Sequence, residues 1–85
     1  MLESLILCLS LFTGLPVVGE PAIVLMPTIG NKGFYVSYKE TVVLGTPSSW
    51  LLAHEVTHHL QYKAGVPYDE NQADMAAFHY IGECK

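Results

Sequence analysis

Ser49-Trp50-Leu51-Leu52-Ala53-His54-Glu55-Val56-Thr57-His58-His59-Leu60-Gln61-Tyr62 is the stretch on which the fold turns. It contains the pattern H-E-x-x-H at positions 54–58. Each helical residue turns about 100°, so His54 and His58 lie about 40° apart on one face and reach a common point from adjacent turns. Glu55 stands about 100° from His54, at the edge of that face. Two neutral imidazoles with a carboxylate beside them are what a zinc hydrolase needs: nitrogen ligands and a base for the attacking water. The helix is legible apart from the motif. Thr46-Pro47 reads as an N-cap followed by proline at the first helical position, and Ala64-Gly65 with Pro67 reads as a stop. Leu52, Ala53, Val56 and Leu60 fall away from the histidines and give the helix, of roughly 16 to 18 residues, an apolar back. His59, about 100° from His58, is expected at the surface or as a hydrogen-bond partner behind the site.

The 85 residues form one domain, 1–85, small enough to need a staple such as a metal. Hydrophobic residues make up 51% and charged residues 14%, a composition that folds rather than stays disordered. A net charge of −4 without a lysine or arginine cluster excludes nucleic acid as the expected partner. Cys8 and Cys84 make neither a C-x-x-C pair nor a disulfide framework; buried free thiols are the default, and a bond between them requires an oxidising compartment.

Toward the N-terminus, Leu5 to Phe12 reads either as the apolar region of a signal peptide or as a buried first helix ended by Gly14 and Pro16. Glu3 and the lack of an early positive charge favour the buried helix, and with it a cytoplasmic rather than secreted protein. Pro16 and Glu20 interrupt the run too early for a stable membrane span. Pro21 to Pro27 reads as a short strand, Thr28 to Gly33 as a loop, and Gly33 to Tyr38 and Thr41 to Leu44 as a hairpin turning at Lys39-Glu40. After Gly65-Val66-Pro67, Asp69 caps a last helix with Gln72 three residues on. The expected class is α+β.

Catalytic zinc needs a third protein ligand, drawn here from Asp69, Glu70, Asp74, His79, Glu83 and Cys84. On the last helix, Ala73, Asp74, Ala77 and Ile81 share the face of Glu70, and His79 lies opposite. Small residues beside Glu70 let this helix approach the histidine helix closely, so Glu70 is the expected ligand. Asp74, one turn on, can accept a hydrogen bond from the far nitrogen of a ligating histidine. Taken together, His54-Glu55-Val56-Thr57-His58 and Glu70-Asn71-Gln72-Ala73-Asp74 resemble the gluzincin signature, H-E-x-x-H followed by E-x-x-A-D. The twelve positions from His58 to Glu70 are similar to the spacing in the smallest members, the minigluzincins. The run from Leu15-Pro16 through Pro21–Pro27, with Leu51–Glu55 and His59-Leu60-Gln61, also looks like small bacterial proteins with a zincin-like core.

That resemblance implies a minimal zincin-like core: an N-terminal helix, a small mostly antiparallel sheet, an active-site helix and a C-terminal glutamate helix. It implies Zn2+ on His54, His58 and Glu70, Glu55 as general base, Asp74 supporting a histidine, and a peptide or protein substrate. An extended peptide is expected to pair with an edge of the sheet, either Thr41 to Leu44 or Phe34 to Tyr38. The oxyanion stabiliser is left open among Tyr35, Tyr38, Tyr62, Tyr68 and Tyr80. Two other readings compete: a zinc-binding module without peptidase activity, and a membrane-associated or secreted protein anchored by Leu5 to Phe12 with incidental histidines.

Overall fold

Why the first apolar run becomes a helix is plain from its packing in the computed structural model, which describes residues 2–85. Helix α1, Glu3–Thr13, buries Leu5, Ile6, Cys8, Leu9 and Ser10 along one side and turns Leu7 and Leu11 outward. Gly14, in the left-handed region, ends it. Strand β1, Ala22–Leu25, follows, then β2, Gly33–Val36, and β3, Thr41–Leu44.

These strands form one sheet in the order β1-β3-β2. The hairpin partners β2 and β3 are antiparallel, with Phe34 opposite Val43 and Tyr35 opposite Val42. β1 joins the other side of β3 in parallel, Ala22 opposite Thr41 and Leu25 opposite Leu44, so the sheet is mixed. β3 is therefore central, and its Val42, Val43 and Leu44 are buried. A central strand has no free edge, which removes Thr41 to Leu44 as a place for a peptide to pair; β2 keeps its edge. β2 is also shorter than its β-rich sequence suggests. Ser37–Lys39 forms a 3-10 turn, and Glu40, at φ 46°, reverses the chain.

Helix α2, Ser49–Ala64, has the expected length, 16 residues. Its cap is Ser48 rather than Thr46: the Ser48 hydroxyl accepts from the Leu51 amide at 3.2 Å. A serine directly before the first turn offers an acceptor at the position an N-cap requires, and Pro47 falls outside the helix. Gly65 terminates α2 as expected, in the left-handed region. Helix α3, Glu70–His79, starts on Asp69, whose side chain accepts from the Gln72 amide. It continues into a π-helical turn, Tyr80–Cys84.

The core gathers Leu5, Ile6 and Leu9 of α1, Val42 and Leu44 of β3, Ala53, Val56 and Leu60 of α2, and Ala76 and Ala77 of α3. The apolar back read for α2 is thus the face that packs. Alanines at 73, 76 and 77, all fully buried, bring the backbone of α3 close to its neighbours. Cys8 and Cys84 are joined in a disulfide, so the default of free thiols does not hold. No helix among the described residues is long and apolar enough to cross a membrane.

Candidate functional site

Because α2 presents positions 54, 58 and 61 on one side, three polar side chains are carried into the interior together with Glu55. His54, Glu55 and His58 are all nearly inaccessible to solvent, and their ligand atoms lie within 4.8 Å of one another. The rings of His54 and His58 stand almost perpendicular, centroids 4.9 Å apart. From α3, the largely exposed Glu70 closes this group on the solvent side. Its Oε1 is 3.0 Å from His54 Nε2 and its Oε2 is 2.9 Å from His58 Nε2. Glu55 stands farther back, 3.9 Å from His54 Nε2. Asp74 Oδ1 approaches the other nitrogen of His54, Nδ1, to 2.9 Å. All five residues singled out in the sequence therefore meet at one place.

Tautomers follow from the neighbours. Gln61, fully buried, donates its amide N–H groups to Gln72 Oε1 at 2.8 Å and to the Asp69 carbonyl at 3.2 Å. Its Oε1 must then face His58, and His58 Nδ1 donates to it at 2.8 Å. A neutral His58 consequently carries its lone pair on Nε2, directed at a carboxylate oxygen 2.9 Å away. Although that close, Nε2 makes no hydrogen bond, and neither does His54 Nδ1. Lone pairs from nitrogen and carboxylate facing one another repel unless a positive charge, a proton on the ring nitrogen or a metal ion, stands between them. The donor set, two imidazoles and a carboxylate, fits zinc.

Aromatic rings hold the histidines in place. Trp50 stacks on His54, centroids 5.1 Å apart, and Tyr68 on His58 at 4.8 Å. A cleft of about 330 Å³ opens over the group, lined by Gly33, Phe34, Tyr35, His54, Glu55, His58, Tyr68 and Glu70. A larger concavity of about 530 Å³ adjoins it through Tyr68 and Glu70 but contains no histidine. Only polar ligand atoms converge in the first, so the chemistry belongs there. Burial pushes the Glu55 carboxyl above its ordinary value; charge on His54 and His58 opposes this and Glu70 adds to it.

His59 is not a surface residue. It is fully buried, and its Nε2 donates to the Gly19 carbonyl at 2.8 Å. Its Nδ1 must therefore accept, and the Tyr35 hydroxyl donates to it at 2.6 Å. His59 thus anchors the loop before β1 and fixes Tyr35 on the wall of the cleft. Of the five tyrosines, Tyr35 and Tyr68 line the cleft, whereas Tyr38 is 80% exposed. Gln61 was not singled out in the sequence, and the pairing of Tyr35 with His59 was not legible there. Gln61 did carry a signal, since it follows His58 by three positions on a helix. Tyr35 was one of five tyrosines that the sequence could not rank, because its position depends on the strand crossing over α2.

No family model, no curated protein and no solved structure matches this chain.

Proposed function

We propose that this chain is a minimal zinc metallopeptidase of the gluzincin type. The observation that carries the reading is the convergence of His54 Nε2 and His58 Nε2 on the two oxygens of Glu70, at 3.0 and 2.9 Å, with the His58 lone pair fixed by Gln61. His54, His58 and Glu70 would hold the ion, which supplies a Lewis acid that acidifies water and polarises a peptide carbonyl. Glu55 takes the proton of the attacking water and returns it to the leaving amine. Its raised proton affinity suits a group that must hold a proton between those two steps. Gln61 holds His58 by its outer nitrogen, and Asp74 stands 2.9 Å from that of His54. Tyr35 has committed its only proton to His59, so stabilisation of the carbonyl oxygen is assigned to Tyr68, across the His58 ring. β2 is the edge on which an extended peptide or protein segment pairs.

A zinc-binding module without hydrolysis is the second reading. The modest cleft, about 330 Å³, favours it, being near the lower limit for sites that enclose small ligands. Metal analysis of the purified protein beside Glu70→Ala, with peptide hydrolysis followed by mass spectrometry beside Glu55→Gln, tests both. The peptidase reading expects about one zinc per chain, most of it lost in Glu70→Ala, and hydrolysis abolished by Glu55→Gln while zinc is retained. Zinc without hydrolysis in the unaltered protein selects the binding module. No zinc after reconstitution rejects both.

A further inference from the structure

We infer that Cys8, His79 and Cys84 form a second, redox-gated metal site, closed while the cysteines are a disulfide and able to bind a thiophilic divalent cation once they are reduced. The residues come from three elements. Cys8 lies on the buried side of α1, His79 ends α3, and Cys84 ends the π-helical turn that follows. One ligand atom from each, two sulfurs and a ring nitrogen, lie within 4.8 Å of one another. Two sulfurs on one tetrahedral zinc ion, at about 2.3 Å each, stand roughly 3.7 Å apart. Reduction therefore asks the sulfurs to separate by only ~2 Å from their bonded distance. Cys84 is exposed and sits on a short π turn, an irregular element with room for that adjustment.

His79 is placed for such a role. Its ring is stacked on Phe12, centroids 4.5 Å apart and planes 20° from parallel, which fixes its orientation. Neither of its nitrogens has a hydrogen-bond partner among the described residues, so one lone pair is uncommitted. An ordinary packing histidine would need only the stack; two sulfurs within bonding reach of a common ion add the function. Two thiolates and an imidazole are a soft donor set that neutralises a divalent ion. The His54–His58–Glu70 group offers no sulfur, and the inference is independent of the peptidase reading.

Opening the site needs a reductant, here a phosphine. It takes the oxygen of water and becomes the phosphine oxide; its two electrons cleave the S–S bond, and each sulfur receives one proton from that water. Binding then displaces both thiol protons as the metal–sulfur bonds form. Reoxidation by a small-molecule disulfide, which accepts the two electrons, re-forms the bond and expels the ion.

The test is a cadmium titration of the full chain, read by the ultraviolet charge-transfer band of cadmium thiolate. That band cannot arise at the His54–His58–Glu70 group. Phosphine-reduced protein, freed of excess phosphine, is compared with oxidised protein and with reduced His79→Phe, which keeps the ring stack on Phe12 but cannot ligate. The expected result is about one sulfur-bound cadmium per reduced chain, none per oxidised chain, and affinity weakened about tenfold or more in His79→Phe. Circular dichroism at each point shows whether the chain is folded. No band in reduced protein, or equal affinity in His79→Phe, overturns the inference. So does a reduced chain that unfolds and is not refolded by cadmium.

Discussion

Neutral histidine has one ring proton, and the residue that receives it decides what the other nitrogen can do. At His58 that residue is Gln61, whose amide is held in one orientation by Asp69 and Gln72. Gln61→Leu keeps the bulk but removes the acceptor, leaving Nδ1–H without a buried partner and letting the tautomer swing. Zinc affinity of this variant, measured by competition with a chromogenic chelator, is expected to fall about 10- to 100-fold. An unchanged affinity would show that His58 is oriented by Tyr68 stacking alone. Tyr35 supports a prediction of a different kind. Burial, with Tyr68, Glu40 and Tyr62 adding, raises its phenol above the ordinary value, so the folded state holds that proton more tightly than the unfolded chain. The resulting stabilisation is complete below about pH 10 and is lost as pH rises toward the folded-state value. Denaturation midpoints should therefore decline above about pH 10 in the unaltered protein, and decline less in Tyr35→Phe. Tyr68 is raised in the same direction and leaves a residual slope. At this scale the sequence was informative wherever helical periodicity alone sets position, as for His54, Glu55, His58, Glu70 and Asp74. It could not rank Tyr35 among five tyrosines and left His59 open between the surface and a hydrogen-bonded place behind the site, because a strand and a loop from elsewhere in the chain meet them.

Elements are bounded by single hydrogen bonds and by close approaches that no periodicity reports. For α2 the extent of the apolar face was readable, but the start was assigned to Thr46 when Ser48 holds the Leu51 amide. Ser48→Ala should lower stability by about 1 kcal/mol in chemical denaturation. Thr46→Ala should change it by less than about 0.5 kcal/mol, as befits a residue outside the helix. Equal losses would return the cap to Thr46. Strand β2 passes close over the site at Gly33. A Cβ there would meet Leu44 Cδ2 at 3.1 Å, the Val43 carbonyl oxygen at 3.2 Å and Glu55 Cγ at 3.4 Å. The Val43 carbonyl belongs to the central strand and cannot retreat without disturbing the ladder. Gly33→Ala is therefore expected to push β2 off Glu55, costing about 1–3 kcal/mol of stability. Were that variant as stable as its parent, the close packing of β2 on the site would be in doubt. That the run from Gly33 forms one strand of a hairpin was legible; which strand of the hairpin keeps its edge, and that β2 forms the roof of the candidate site, were not.

Across the whole molecule, the order of elements and the α+β class followed from apolar runs and turn residues, whereas the bond that closes the chain did not. Two cysteines at opposite ends say nothing about meeting until α1 is packed against the π turn after α3. Once they meet, the bond closes a loop spanning 76 positions, nearly the whole chain. Restricting the unfolded chain over so long a loop is worth about 4 kcal/mol in the loop-entropy account. Domains of ordinary stability have only about 5–15 kcal/mol in total, and one this small sits at the lower end. The double variant Cys8→Ala/Cys84→Ala should accordingly lose most of its stability and melt over a broader range, measured by guanidinium unfolding without added metal. Adding zinc should restore part of the loss, because ligand bound only by the folded state stabilises it in proportion to the logarithm of its concentration over Kd. That recovery must arise at His54, His58 and Glu70, since the variant has no sulfur ligands left. A double variant within about 1 kcal/mol of the parent would mean that the three-helix core holds the fold unaided. A destabilised variant that zinc does not rescue would instead leave the core tied only by its disulfide and argue against a metal at the histidine group.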